Sequence, residues 1–376
     1  MSPNRSDRQR AARRWVIKVG STLLTRPGGG LALEAIGDWV RQMSELAGRG
    51  IEPILVSSGA VAAGMGRLGW AQRPSAIHDL QAAAAVGQSG LVEAYEHRFN
   101  AHGRLAAQVL LTHDDLSDRR RYINARNTLR TLIGLRVIPV VNENDTVITE
   151  EIRFGDNDTL AALVANLVEA DMLVILTDSP GLFEADPRLD PHAGLVSEGE
   201  AGDPSLLAAA GGAGSKVGTG GMRTKVLAAQ RAARSGTGTA IAAGTEADIL
   251  PRLGQGETVG TFLHPGRDAL VARKQWLANQ LQVKGRIYVD DGAARVIREE
   301  GRSLLPVGVV DVAGNFQRGE VVACIDPDGR EICRGLVSYA APEVRRLAGQ
   351  LTDRIGEVLG YVDTEEIIHR DDLAVL

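Results

Sequence analysis

The stretch Gly218-Thr219-Gly220-Gly221-Met222-Arg223-Thr224-Lys225 puts closely spaced glycines ahead of a helix-forming segment that carries a lysine. Glycines let backbone N–H groups approach phosphate oxygens, the helix start adds its positive end, and Lys225 adds a full charge. The chain has no GxxxxGK[ST], so this is not a Walker A loop. Lys18 lies in the otherwise apolar run Trp15 to Val19, where an ammonium is costly to bury without an anionic partner. Two acid-and-amide clusters complete the set, Asn142-Glu143-Asn144-Asp145 after the apolar run Val137 to Val141, and Asp156-Asn157-Asp158 before the helical spacing Leu160, Leu163, Val164, Leu167. Two lysines, glycine amides and hydrogen-bonding carboxylates and amides suit phosphoryl transfer between two anions, where catalysis is mainly positioning and charge neutralisation. Each feature also has a plainer reading: a flexible glycine loop, a strand-end lysine reaching water, and an Asn157 or Asp158 that merely caps its helix.

Other chemistries fit less well. The seven histidines are scattered without an HExxH, and Ser58 lies in no GxSxG turn. Gly64, Gly66 and Gly69 spell GxGxxG, but eight residues beyond the preceding strand and with no acidic residue about 20 positions later.

These residues need a scaffold, and the chain reads as one. Apolar strands are expected at Trp15–Val19, Ile51–Val56, Ala106–Leu111, Val137–Val141, Met172–Leu176 and Thr239–Ala242, with helices between them, among them Ala76–Phe99, Asp114–Ile133 and Met222–Arg234. Strand, turn and helix in succession predict an α/β fold with a mostly parallel open sheet and helices on both faces, whose ligands gather where the strands end. Residues 146–154 are expected to form a short hairpin. From Val283 to Tyr361 the segments shorten, and turns are expected at Asp290-Asp291-Gly292, Ala313-Gly314-Asn315 and Asp326-Pro327-Asp328-Gly329, the last joining a hairpin in a small β-rich domain. The divisions are a basic disordered tail over 1–14, an α/β domain over 15–267, a connector over 268–282, the β-rich domain over 283–361 and a tail over 362–376.

At 376 residues two domains are the default, and 44% hydrophobic with 24% charged residues is ordinary for a globular protein. A formal charge of −5 gives no reason to expect a nucleic-acid or membrane partner. Cys324 and Cys333 lack metal spacing and read as reduced strand residues of a cytoplasmic protein.

Taken together, Ile17-Lys18-Val19-Gly20-Ser21, Val56-Ser57-Ser58-Gly59-Ala60, the run AAVGQS from Ala84 to Ser89, Val141-Asn142-Glu143-Asn144-Asp145, Gly155-Asp156-Asn157-Asp158, Leu176-Thr177-Asp178 and Gly218 to Lys225 resemble the bacterial glutamate 5-kinase family of the amino-acid kinase superfamily. The likeness runs in order from about Trp15 to the tail His369-Arg370-Asp371-Asp372, through a PUA-like domain. It implies ATP-dependent phosphorylation of the side-chain carboxylate of L-glutamate, the first step of proline biosynthesis. Lys18 and Lys225 would contact the phosphates, with Asp158 holding them in place. Ser58, Asp145 and Asn157 would bind glutamate, Asp145 by charge complementarity to the α-ammonium. ATP would be held by Lys18, Thr177, Asp178 and the run Thr219, Gly220, Gly221, Met222, Arg223, Thr224, Lys225, with Mg²⁺ bridging its phosphates through ligands the sequence does not fix. Inhibition by proline, a homo-oligomer and hand-off of the acyl phosphate to a glutamyl-phosphate reductase are further implications. The chain departs slightly, with Ser21-Thr22 where Thr-Ser is commoner, Lys216 before the glycine loop, and an Arg-rich start.

Two rivals stand beside this reading. One is an RNA-binding protein acting through the PUA-like domain with a degenerate kinase domain; against it, residues 283–361 hold 11 Lys+Arg and 12 Asp+Glu, a balance of −1. The other is a sister kinase acting on acetylglutamate, aspartate, carbamate or a nucleotide.

Overall fold

The computed structural model describes residues 4–26, 30–147, 157–211, 221–266 and 283–376, which form two compact units. In the larger, β1 (Arg14–Val19), β2 (Glu52–Ser57), β3 (Ala106–Leu111), β4 (Ile138–Glu143), β5 (Met172–Thr177), β6 (Glu198–Glu200), β7 (Gly238–Ala243) and β8 (Thr261–His264) make one sheet in the order β3-β4-β2-β1-β5-β7-β8-β6. Every pairing is parallel except β7 with β8, which bears out the mostly parallel sheet. The short strands β6, at the sheet edge, and β8, beside it, are additions that sequence periodicity did not reveal, because three or four residues carry too little pattern.

The helices are α1 (Arg5–Ala11), α2 (Ser21–Leu24), α3 (Leu33–Gly48), α4 (Ala60–Leu68), α5 (Ile77–Ala101), α6 (His113–Ser117), α7 (Arg119–Gly134), α8 (Asn157–Val168), α9 (Pro204–Ala209), α10 (Met222–Ala233) and α11 (Ile249–Gly254). Strand alternation sorts β1 by face. Trp15, Ile17 and Val19 join a core with Trp39, Val40 and Met43 of α3 and Leu91, Tyr95 and Phe99 of α5. Val16 and Lys18 therefore face the opposite layer, the side on which Asp158 of α8 meets Lys18.

Several expectations are corrected. Residues 4–14 are not a disordered tail: Asn4 caps α1, and Arg5 is buried, donating to the carbonyls of Ser197 and Val259 with its guanidinium 5.8 Å from the Phe262 ring centre. Charge alone suggested solvation, but a guanidinium can be buried when backbone carbonyls receive it. The helix expected over Asp114–Ile133 is two helices, because Thr112 and Asp115 close a capping box and Asp118 takes an extended backbone between α6 and α7. In the smaller unit, Asp290-Asp291-Gly292 opens a helix, Asp291–Glu300, with the Asp290 side chain accepting from the Ala293 N–H. The expected 146–154 hairpin falls largely outside the described residues.

The smaller unit carries a second sheet of β9 (Gly285–Val289), β10 (Val309–Gly314), β11 (Val321–Ile325), β12 (Glu331–Leu336) and β13 (Leu373–Val375), in the order β10-β9-β11-β12-β13. The Asp326-to-Gly329 hairpin forms as expected between antiparallel β11 and β12, where Cys324 and Cys333 face each other as free, buried thiols. Residues 362–376 are not a tail outside the fold, since Ile367, Ile368 and Leu373 enter its core and β13 pairs with β12.

Of the GxGxxG glycines, Gly64 belongs to helix packing and Gly69 is the left-handed C-cap of α4. A Cβ on Gly64 of α4 would lie 1.7 Å from the Ala83 carbonyl oxygen of α5, and one on Gly87 of α5 would lie 1.9 Å from the Ala60 carbonyl oxygen of α4. Gly87→Ala is therefore expected to destabilise the protein by about 3 kcal/mol or more, since backbone atoms cannot step aside as a flexible side chain would. The urea midpoint checks this, and an unchanged midpoint would show that the two helices separate freely.

Candidate active site

Strands β4, β2, β1 and β5 are consecutive and parallel, so their C-terminal ends lie along one edge of the sheet. That edge carries Asn142 and Glu143 on β4, Ser57 and Ser58 at the end of β2, Lys18 near the end of β1, and Thr177 and Asp178 at the end of β5. Gly59 follows Ser58 at φ +100°, a left-handed conformation that suits glycine and turns the chain from β2 into α4.

Asp158, in the first turn of α8, joins the two lysines. Lys18 Nζ lies 2.7 Å from its Oδ1 and Lys225 Nζ 3.0 Å from its Oδ2. Lys18, Asp158 and Lys225 are 5%, 1% and 4% exposed, so the three charges sit together away from water. Burial would raise the Asp158 carboxyl, but the ammonium groups of Lys18 and Lys225 outweigh it and hold the group below the ordinary carboxylate range. The Thr224 hydroxyl, one residue before Lys225, stands 2.8 Å from Asp158 Oδ2 and 2.7 Å from the Gly221 carbonyl. The α10 start is thereby tied to the α8 start, 66 residues away in sequence. Asp158 is thus not simply a helix cap.

Asn157, next to Asp158, is 5% exposed and turns to the β2 end. Its Nδ2 lies 2.8 Å from Ser58 Oγ, 3.0 Å from the Ser57 carbonyl and 3.0 Å from Asn142 Oδ1. The two acid-and-amide clusters seen in the sequence therefore meet, through Asn142 and Asn157. Behind them the buried Tyr95 hydroxyl is 3.0 Å from Ser57 Oγ, bracing the strand end from α5.

Asp145 stands apart from these bonds, two residues beyond β4 and half-buried. Loss of hydration pushes its carboxyl up to about 6, with the Arg73 guanidinium opposing the rise. Thr177 and Asp178 are joined to each other, hydroxyl to carboxylate at 3.0 Å, on the strand beside Lys18. Gly221 is the N-cap of α10, and Met222 and Arg223 are its first residues. Thr219 and Gly220 lie outside the described residues, as does Lys216.

Sequence reasoning missed the parts of this arrangement that come from elsewhere in the chain. Gln88, whose Oε1 accepts from Asn142 Nδ2 at 2.7 Å, sits in the AAVGQS run but offers no chemical pattern of its own. Tyr95 reads only as an aromatic on a core helix face. For metals, no group of three or more His, Cys, Asp or Glu close enough to hold an ion occurs among the described residues, and among them no helix is long and apolar enough to cross a membrane.

Comparison with known proteins gives the family of the chain. Residues 13–243 match the model of the amino acid kinase family, and residues 285–359 match that of the PUA domain. A glutamate 5-kinase of Chromohalobacter salexigens is 61% identical over 370 residues, covering 98% of each chain. One of Thioalkalivibrio sulfidiphilus is 62% identical over 365 residues, covering 97% of each. One of Ectopseudomonas mendocina is 59% identical over 370 residues, covering 98% of this chain and all of its own.

Proposed function

The chain belongs to the amino acid kinase family and, within it, to the glutamate 5-kinases, and from that premise we propose that it phosphorylates the side-chain carboxylate of L-glutamate with ATP, opening proline biosynthesis. The observation that carries the mechanism is Asp158 between Lys18 and Lys225, one residue from the Asn157–Ser58 pair.

The reaction is balanced without a general base. A glutamate carboxylate oxygen forms a bond to the γ-phosphorus as the bond from that phosphorus to the β-phosphate oxygen breaks, giving L-glutamyl 5-phosphate and ADP. The obstacle is repulsion between two anions. Lys18 and Lys225 lower it by placing positive charge where the transferring group gathers negative charge, and Asp158 keeps both ammonium ends aimed at one place. Ser58, Asn157 and Asp145 hold glutamate; Thr177, Asp178 and residues 219–225 hold ATP. Mg²⁺ bound to ATP would supply further neutralisation of the phosphates.

Buried free thiols at Cys324 and Cys333 support a reducing, cytoplasmic setting. Inhibition by proline, assembly as a homo-oligomer and delivery of the acyl phosphate to a reductase belong to the same reading. The lability of a mixed carboxylic–phosphoric anhydride supports the last of these.

The test is ATP turnover with glutamate, acetylglutamate and aspartate, trapping acyl phosphate as the hydroxamate. Glutamate is expected to be the substrate, and turnover of acetylglutamate alone would replace this reading with that of a sister kinase. A pH profile adds a second expectation. With burial pushing the Asp145 carboxyl up to about 6, a cationic α-ammonium binds its ionised form, so KM for glutamate should fall as pH rises through 6 and level off above about 7. Asp145→Asn should raise KM by roughly 10- to 100-fold and abolish the inflection. A variant that keeps the inflection would assign it to another group.

A further inference from the structure

The chain leaves β5 at Asp178 and rejoins the sheet at β6, and one hydroxyl fastens the excursion near both of its ends. Thr261, the first residue of β8, is fully buried, with Oγ1 2.8 Å from the Leu182 N and 2.6 Å from the Val196 carbonyl oxygen. An N–H can only donate and a carbonyl only accept, so the hydroxyl accepts from Leu182 and donates its one proton to Val196. The two arms also bond to each other, Val196 N–H to the Leu182 carbonyl at 2.8 Å, and the later arm meets β8 again where the Phe262 N–H donates to the Ser197 carbonyl at 2.9 Å. For Leu182, in the earlier arm, the bond to β8 is the one that the Thr261 hydroxyl makes. Gly181 permits the approach, since a Cβ there would lie 2.7 Å from Thr261 Oγ1 and 3.0 Å from the Thr261 nitrogen.

Little chain separates this anchor from the nucleotide side of the site. Thr177 is fixed in the sheet opposite Ala243, and only Asp178, Ser179, Pro180 and Gly181 lie between it and Leu182. Pro180 fixes one backbone angle, and the Ser179 hydroxyl donates to the Gly181 carbonyl at 2.9 Å. A segment this short, tied at both ends, leaves Asp178 few places to be. Without the hydroxyl, the Leu182 N–H and the Val196 carbonyl lose their partner in a dry setting, and the arms gain by moving out to water. Asp178 would move with them.

We propose that Thr261 is a positioning residue for nucleotide binding: by anchoring Leu182 it holds the short segment that carries Asp178, and so sets the affinity for ATP without acting on the chemical step. This rests on the reading that Thr177 and Asp178 hold ATP and goes beyond it by assigning that loop's placement to a side chain on β8.

The experiment measures kcat, KM for ATP and KM for glutamate by hydroxamate trapping. Wild-type protein that does not turn over glutamate with ATP would sink the kinase reading and the proposal together. Asp178→Ala tests the nucleotide site itself: an unchanged KM for ATP there would put ATP elsewhere and remove the premise. Thr261→Val keeps the shape but not the hydroxyl, and is expected to raise KM for ATP roughly 10- to 100-fold with kcat and KM for glutamate within about threefold. Thr261→Ser keeps the hydroxyl and should stay within about threefold of wild type in all three. Thr261→Cys, with a weaker donor and acceptor, should fall between them, at about 3- to 10-fold in KM for ATP. With Asp178→Ala impaired for ATP, an unchanged KM for ATP in Thr261→Val would overturn the positioning role alone. Equal rises for ATP and glutamate, or a serine variant no better than valine, would show a merely structural role. Should the valine variant not fold, a cysteine variant matching serine in KM for ATP would overturn the proposal.

Discussion

Lys225→Ala is expected to lower kcat by roughly 100- to 1,000-fold while KM for glutamate stays within about threefold. The asymmetry follows from where Lys225 sits. It lies in the first turn of α10, 4% exposed, with Nζ on the Asp158 oxygen opposite the one that Lys18 takes. In the proposed mechanism glutamate is held by the other cluster, at Ser58, Asn157 and Asp145, while the bond shown for Lys225 runs to Asp158. The charge it contributes matters most when the phosphoryl group is in flight, so its removal acts on the barrier more than on substrate binding. Folding should survive, because Asp158 retains Lys18 and the Thr224 hydroxyl. Initial rates over a matrix of glutamate and ATP concentrations decide it, and equal losses in kcat and glutamate affinity would contradict the role.

Asp158→Asn is expected to act on stability as well as on rate. The substitution keeps shape but leaves two buried ammonium groups without their shared carboxylate, a change that costs about 3–5 kcal/mol when one partner of a buried ion pair is removed. Thermal unfolding of the free protein at pH 7 should therefore shift down markedly, and Mg-ATP should restore more of the lost stability in the variant than it adds to wild type, since phosphates bring negative charge to the same place. The pH dependence has a definite sign. Asp158 is held below its ordinary range in the folded protein, so its stabilising contribution is complete above the unfolded carboxylate value near 4 and fades as pH falls through the lower folded value. The gap between wild type and Asp158→Asn should accordingly be widest near neutrality and narrow below about pH 4. A gap that widened on acidification would mean that the carboxylate is not paired as described.

Much of the scaffold could be read from composition and spacing because buried parallel strands announce themselves as short β-branched runs, and their polar ends then mark the edge where ligands gather. Trp15–Val19, Val137–Val141 and Met172–Leu176 are of this kind, and each is found in the sheet within a residue or two. The N-terminal and C-terminal segments were misjudged for the opposite reason. Arg5 and the β13 strand owe their places to partners far along the chain, Ser197 and Val259 for one and β12 for the other, and a local window contains no trace of such partners.

By itself the sequence determined the inventory: which residues carry charge, which amides and glycines stand at strand and helix ends, and that Lys18 would need an anion if buried. Only the tertiary structure decided that Asp158 serves both lysines, that Asn157 turns to Ser58 and Asn142, and that Gln88 of a distant helix meets Asn142. The physical reason is that local propensity and hydrophobic period act over a few residues, whereas the direction of a hydrogen bond is set by whichever donor or acceptor the fold brings opposite it.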